Sequence, residues 1–546
     1  MDVFYAITEL LTGLGSFLLG FKLLSDGMSK LANRGLKRLF AKTTDKPLVG
    51  VGVGTLSTAI LQASGIVTVM VVGFVNANIM NLTQAAAVIM GSNIGTTITA
   101  QIAALQSIDI MKPLMLLTFV GAAMALFGKK DKIKTLGIAL GGLGLVFIGM
   151  QFMKASMDIF KESGVVTATL QSVNNPFLLL IIGIIATAIV QSSSAITSIV
   201  ISMAAAGLVI GNGGNSVLYV ILGTNIGTCV TALISGIGAS ANAKRASLIH
   251  LMFNVFGAAL FMIVLLCWKD FYNVTFVRWF AGLPATQIAM FHTFFNVVCT
   301  LLFVPLINVF VKFTTLLIRE KDTVKQTGFL DERLLKTPSI ALAQMDKQAK
   351  VMADHAFANL SLAFDGFIKL DSDHFEEITK NTDNVEKLGN KMVDYLVKIS
   401  ANNISLAEEE IVNHMHHNIN DILRINSFAD NIVKYTEKSI RDNLVFSDDV
   451  KKQLLEMFSN IKELYTFSIN ALFKPDKKTI QKVDEIEDKI DLNKKQLIDG
   501  HICRLNQGVC QPDSSGVFIN LVSNLERAAD HLTFNAHSTQ KQSQNV

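Results

Sequence analysis

Apolar residues fill the first three fifths of the chain in long blocks, at about 3–24, 82–104, 113–128, 135–153, 216–238, 247–268 and 286–311. Most approach the ~20 residues a helix needs to cross the hydrocarbon core of a membrane. Two further blocks, about 48–75 and 176–206, are interrupted by polar runs at Gln62 and Gln191, and hydropathy leaves them as full spans or re-entrant hairpins. From about 340 onward the pattern changes to apolar positions at helical spacing among charged ones. It predicts six amphipathic helices, about 341–368, 373–400, 405–440, 448–472, 477–506 and 514–540, with Pro475 and Gly516 as breakers between or near them. The expected fold is all-α: a transmembrane part over 1–318, a polar linker over 319–339 and a helical domain over 340–546.

Composition supports two parts with different solvents. Half of the 546 residues are hydrophobic and only 17% are charged, against about a quarter in soluble domains. Residues 1–318 hold 19 Lys/Arg and 9 Asp/Glu, and residues 319–546 hold 29 and 35. The first part therefore carries +10 and the second −6. Five scattered cysteines exclude a disulfide scaffold. Cys503 and Cys510, expected on the cytoplasmic side, should stay reduced.

Loop charge sets an expected orientation. Lys30, Arg34, Lys37, Arg38, Lys42 and Lys46 face one acid, Asp45, in 29–46; four lysines sit in 129–134; and Lys244-Arg245 follows later. These loops are expected in the cytoplasm, and the near-neutral 105–112 and balanced 154–175 outside. With both interrupted blocks re-entrant, seven crossings put the N-terminus outside and the helical domain in the cytoplasm. The N-terminus lacks the basic region and cleavage site of a signal peptide, so the first helix reads as an uncleaved anchor in a plasma (inner) membrane.

The membrane part is duplicated. Gly13–Gly20 recurs as Gly142–Gly149 and Thr58-Ala-Ile-Leu-Gln-Ala-Ser64 as Thr187-Ala-Ile-Val-Gln-Ser-Ser193, both at an offset of 129. Gly91-Ser-Asn-Ile-Gly-Thr96 recurs as Gly223-Thr-Asn-Ile-Gly-Thr228 at 132. The copies cover about 10–128 and 139–268, with an extra helix at 286–312. Loop signs reverse between them, so they are expected to be inverted, the arrangement that builds alternating-access sites near the bilayer midplane.

Each copy places a polar cluster where lipid-facing residues should be apolar. Thr187, Gln191, Ser194 and Ser198 fall on one helical stripe, i, i+4, i+7, i+11. Copy one keeps Thr58, Gln62 and Ser64 but has Ala63 and Gly65 where copy two has Ser192 and Ser194. The glycines of the second motif are expected to unwind the helix locally. No formal charge lies near the middle of an expected span, which disfavours a buried proton relay. Neutral hydroxyls, amides and half-helix ends suit a small cation together with an oxyanion. His250/Asn254 and His292/Asn296 share a smaller motif, H-x-x-F-N, which reads as interhelical hydrogen bonding.

At these residues the chain resembles the bacterial sodium:phosphate cotransporter family, relatives of the animal type II carriers. The resemblance rests on Gln191-Ser192-Ser193-Ser194, Gly223–Thr228 and Gly91–Thr97 and covers about 10–312. It implies two inverted repeats with re-entrant hairpins, phosphate between the hairpin tips and sodium nearby. The implied substrate residues are Gln62, Ser64, Gln191, Ser192, Ser193 and Ser194. Thr58, Asn93, Thr96, Thr97, Thr187, Asn225 and Thr228 are implied for sodium or substrate. Gln62-Ala63-Ser64-Gly65 departs from the family pattern by two hydroxyls.

The helical domain ends in Asn524-Leu-Glu-Arg-Ala-Ala-Asp-His531, which resembles the E-R-x-x-D-H motif of PhoU-like domains. That implies a double three-helix bundle, with Glu526 and Asp530 as candidate ligands for a divalent or iron-type metal. At the matching place in the first half stand Leu423-Arg424 and Ser427; His414, His417 and Asp421 share a nearby face. The expected function is sodium-coupled phosphate transport regulated by the helical domain, with a possible signalling partner and no nucleic acid. A carrier or exporter of another oxyanion, or a membrane phosphate sensor, is the alternative. No nucleotide loop, catalytic triad or zinc signature points to an enzyme.

Overall fold

The computed structural model describes residues 2–41, 46–76, 79–108, 110–319, 330–336, 338–402, 404, 406–473, 476–508, 510 and 512–538. Lys42 and Asp45 of the basic segment, Asp109, most of the linker and Pro475 lie outside them. Every element described is helical, in two compact units, Met1–Phe329 and Leu330–Val546.

The first unit runs α1 (Asp2–Ala41), α2 (Pro47–Leu61), α3 (Ser64–Asn76), α4 (Leu82–Ala104), α5 (Met111–Met115) and α6 (Leu117–Phe127). The second copy follows as α7 (Asp131–Glu162), α8 (Gly164–Ser172), α9 (Pro176–Val190), α10 (Ser193–Ala205), α11 (Ser216–Gly227), α12 (Cys229–Gly236) and α13 (Ala241–Cys267). A π-helical turn, Asn273–Val277, leads to α14 (Pro284–Phe303) and α15 (Ile307–Leu317). Five stretches among the described residues are helices long and apolar enough to cross a membrane: Val3–Ala32, Asp131–Glu162, Ser216–Gly236, Ala241–Cys267 and Pro284–Leu317. Of the seven expected crossings, 82–104 is diluted by the polar residues of α4, and 113–128 is split between α5 and α6. Each interrupted block is a pair of helices of 15 and 13 residues, too short to cross singly.

Glycines place the helices. A β-carbon at Gly13 would lie 2.8 Å from the Gly149 carbonyl oxygen, and one at Gly20 would lie 2.7 Å from that of Gly142. Gly13 corresponds to Gly142 and Gly20 to Gly149, so each glycine meets the counterpart of the other. That reciprocal pairing is what antiparallel helices about a pseudo-twofold produce.

Within each copy the approach is closer still. A β-carbon at Gly91 would sit 2.0 Å from the Val51 carbonyl oxygen, and one at Gly223 would sit 2.1 Å from that of Leu180. Gly54 and Gly183 face the Val88 and Val220 carbonyls at 2.0 and 2.3 Å in the same way. α2 is thus pressed onto α4, and α9 onto α11, at backbone contact. Thr55 Oγ1 adds a hydrogen bond to the Gly91 carbonyl at 3.0 Å. α4 continues unbroken through Gly91–Thr97, and α11 passes into α12 through a helical Thr228. The expectation of unwinding at these glycines is therefore corrected: they are small so that a neighbouring helix can approach.

The second unit contains α16 (Pro338–Lys369), α17 (Phe375–Ser400), α18 (Leu406–Arg441), α19 (Asp448–Phe473), α20 (Lys477–Asn506) and α21 (Ser514–Ser538). α16–α18 pack on one another, as do α19–α21, and the halves meet through α18 with α21 and α16 with α19. Their apolar faces form one core around Phe364, Phe458 and Phe518.

Gly91→Ala or Gly223→Ala forces two backbones apart and should cost about 1–3 kcal/mol as overpacking. Gly15→Ala meets nothing within 4 Å and should be neutral. Melting of the detergent-solubilised chain, followed by size-exclusion recovery, should show the first two lowered and the third unchanged.

Candidate substrate site

Both interrupted blocks break at a glutamine. Gln62 (φ 52°, ψ 24°) and Gln191 (φ 56°, ψ 26°) are left-handed C-caps of α2 and α9. They are the only non-glycine residues with positive φ among the described residues of this unit. Each N–H donates to the carbonyl of the repeated threonine, Thr58 or Thr187, at 2.7 Å. A left-handed glutamine costs of order 1–3 kcal/mol, and strain of this kind concentrates at functional sites. Because the chain reverses its helical sense here, Thr187 lies on α9 while Ser194 and Ser198 lie on α10. The single stripe expected through these residues is accordingly split between two helices.

Within a copy the two motifs meet. A β-carbon at Gly95 would touch Thr58 Cβ at 2.7 Å, and one at Gly227 would touch Thr187 Cβ at 2.6 Å. Thr58 and Thr187 are fully buried, and their hydroxyls have no hydrogen-bond partner. Thr68 and Thr197, also repeated at 129, are buried with orphaned hydroxyls, as are Ser57 and Ser198. Buried hydroxyls are nearly always satisfied; the two pairs of exceptions repeated at 129 are candidate positions for contact with an ion, water or substrate oxygen.

Asn93 and Asn225 donate to the carbonyls of Ile89 and Ile221 at 3.0 and 2.9 Å. Thr96 and Thr228 donate to those of Ser92 and Thr224 at 3.0 and 2.9 Å, and Thr97 to that of Ile94 at 2.7 Å. These bonds orient the side chains and leave acceptor lone pairs on the hydroxyls. α14 reaches both motifs: Thr300 Oγ1 donates to the Met90 carbonyl at 3.3 Å, and Asn296 Nδ2 to Asn225 Oδ1 at 3.4 Å. His292 Nε2 lies 3.3 Å from the same oxygen, and Asn254 Nδ2 donates to Cys229 Sγ at 3.3 Å. Asn254, His292 and Asn296 thus serve interhelical bonding, whereas both ring nitrogens of the buried His250 have no hydrogen-bond partner, so the expectation does not hold there.

The copies differ at their tips. Gln62 is pinned: Nε2 donates to the Ala59 carbonyl at 2.5 Å, and Oε1 accepts from Thr99 Oγ1 at 3.0 Å. Gln191 is exposed, Ser192 caps α10 by accepting from Ala195 N–H at 3.2 Å, and Ser193 and Ser64 are buried. Among the described residues no hydrogen bond joins Gln62 or Ser64 to Gln191–Ser194. Instead α10 packs on α4, and α3 packs on α12 and α13, so each hairpin leans on the opposite copy. Thr99, Thr68 and Thr197 are further candidates that the motifs did not bring out, although Thr68 and Thr197 repeat at the same offset as the motifs already recognised.

Two comparisons settle the relationship. The Na+/Pi-cotransporter description matches residues 16–155 and 161–281, and the PhoU domain description matches 349–436 and 454–538. The uncharacterized protein YqeW of Bacillus subtilis (strain 168) is 32% identical over 308 residues, 56% of this chain and 96% of that one. The chain belongs to the Na+/Pi-cotransporter family. It is a multi-pass membrane protein of a phosphate-transporter family that carries a PhoU domain. YjbB of Escherichia coli (strain K12), provisionally named an inorganic phosphate export protein, is 22% identical over 95% of both chains. Sodium-dependent phosphate transport protein 2A of Ovis aries is 42% identical over 81 residues, 15% of this chain and 11% of that one. No solved structure matches.

In the PhoU domain one of the two expected metal ligands has another partner. Glu526 Oε1 accepts from Lys494 Nζ at 2.6 Å. Asp421 pairs with His531 Nδ1 at 2.9 Å rather than with His414 or His417. Among the described residues no group of three or more His, Cys, Asp or Glu is arranged to hold a metal. Burial, then Glu526 and Asp491, raise the Asp530 carboxyl above its ordinary range; burial, then Asp491 and Asp530, raise Glu487.

A carboxyl raised in the folded state supports stability below its unfolded value, about 4, and loses that support as pH climbs through the folded value. Asp530→Asn should therefore slow amide exchange across α20 and α21 of the full chain at pH 7, with the advantage gone near pH 4. In the membrane unit, Thr187→Val removes an unpartnered hydroxyl, so melting should hold or rise while phosphate transport falls at least tenfold. Unchanged transport would remove Thr187 from the site.

Proposed function

We propose that the chain is a sodium-coupled carrier of inorganic phosphate working by alternating access. The duplicated, buried, unpartnered threonine hydroxyls beside two left-handed glutamine breaks carry this reading. At each break α2 or α9 ends in carbonyls and α3 or α10 begins in N–H groups. A cation and an anion are therefore accommodated side by side by opposite helix ends. Gln62, Ser64 and Gln191–Ser194 supply donors to phosphate. Thr58, Asn93, Thr96, Thr97, Thr187, Asn225 and Thr228 supply oxygens to sodium or substrate.

Bound sodium offsets phosphate charge in a site that has no fixed cation among the described residues, which couples the two. The antiparallel α1–α7 pairing supports inverted repeats, and the short helices flanking Gln62 and Gln191 support re-entrant hairpins. Loop charge supports an external N-terminus and a cytoplasmic PhoU domain, and regulation of the carrier is the role we propose for that domain. The name carried by YjbB favours a second reading, net export by the same machinery.

In proteoliposomes an inward sodium gradient should drive accumulation of labelled phosphate, and Gln191→Ala should reduce it at least a hundredfold. Vesicles preloaded with phosphate and given an outward sodium gradient report export. Sodium-independent fluxes in both directions would reject coupling.

A further inference from the structure

The polar end of α13 joins two elements that the substrate site does not explain. α3 ends at Asn76, whose Oδ1 accepts the N–H of Ser240 at 2.8 Å. Ser240 is the N-cap of α13, its hydroxyl accepting from Ala243 N–H at 3.3 Å. One turn on, Arg245 is only 6% exposed. Its Nε and Nη2 both donate to the Ile318 carbonyl, at 3.1 and 2.7 Å, and Nη1 donates to Asn242 Oδ1 at 2.5 Å. Among the described residues it has no carboxylate partner. Ile318 is the C-cap of α15, and the sequence runs on from there toward the PhoU domain.

We propose that the start of α13 is a coupling joint that passes displacement of the first hairpin to the end of α15. A buried guanidinium is stabilised by the negative end of a helix. Pulling it from that carbonyl would leave a buried, unpaired charge, which is strongly unfavourable. The start of α13 and the end of α15 therefore move together. α3 has 13 residues, about 20 Å of stiff helix at 1.5 Å per residue. One end lies beside the Gln62–Ser64 break, and the other is tied to Ser240. Occupation of the break thus reaches the segment leading to the regulatory domain along α3, Asn76–Ser240 and Arg245–Ile318. The ligand-driven part of this inference rests on the substrate reading; the mechanical part does not.

Amide exchange of the full chain in vesicles tests both parts. Without ligand, Asn76→Ala should speed exchange over 312–318 at least threefold although it lies on α3. Arg245→Gln should do the same, Arg245→Lys should restore part of the protection, and the double variant should exceed Arg245→Gln by less than twofold. Sodium plus phosphate should change exchange over 312–318 at least twofold in the parent chain and not in either single variant. An Asn76→Ala chain with parental exchange at 312–318, or effects that multiply in the double variant, would overturn the joint. If the ligand-free coupling holds while sodium plus phosphate alters neither 59–66 nor 312–318, the joint stands and the substrate reading fails.

Discussion

The membrane unit depends on backbone meeting backbone where a side chain would ordinarily intervene. The carbonyls of Val51 and Leu180 occupy the space that a methyl group at Gly91 and Gly223 would need. Helices in lipid gain little from burying apolar surface against one another, so close packing and backbone dipole contacts must hold them together. That contact brings Thr58 against Gly95 and Thr187 against Gly227, and so sets the hairpin threonines beside the second motif in each copy. The left-handed turns at Gln62 and Gln191 then expose opposite helix ends at the same place. Remove the close approach and the polar groups lose their common location.

Duplication supplies this arrangement twice, but the copies have diverged. Copy one has Ala63 and Gly65, and its glutamine is held between Ala59 and Thr99. Copy two retains three serines and presents an exposed Gln191. On the proposed reading, the pinned tip steadies the site and the open one meets the substrate. The two lost hydroxyls weaken the donor set of the first tip only, which leaves the helix-end chemistry of both breaks intact.

Much of this was legible in the chain. Fixed offsets of 129 and 132 located Thr58, Gln62, Thr187, Gln191, Asn93 and Asn225, and the change of hydrophobic period separated the lipid-facing part from the six PhoU helices. Two readings failed for physical reasons. Glycine in a helix permits either unwinding or close approach, and only the neighbouring backbone decides between them. A polar stripe from Thr187 to Ser198 presumes one continuous helix, but left-handed geometry at Gln191 ends it. Thr99 was missed because its importance comes from a contact with Gln62, 37 positions away. The bond from Lys494 to Glu526 was likewise not legible, because Lys494 lies on another helix.

On the proposed function, sodium and phosphate occupy adjacent ends of the same broken helices and stabilise each other. Phosphate titration of the purified full-length chain in detergent, by calorimetry in sodium and in potassium, tests it most directly. Sodium should tighten phosphate binding at least tenfold, and phosphate should tighten sodium binding by the same factor, as linkage requires. Equal phosphate affinity in the two salts would contradict the account.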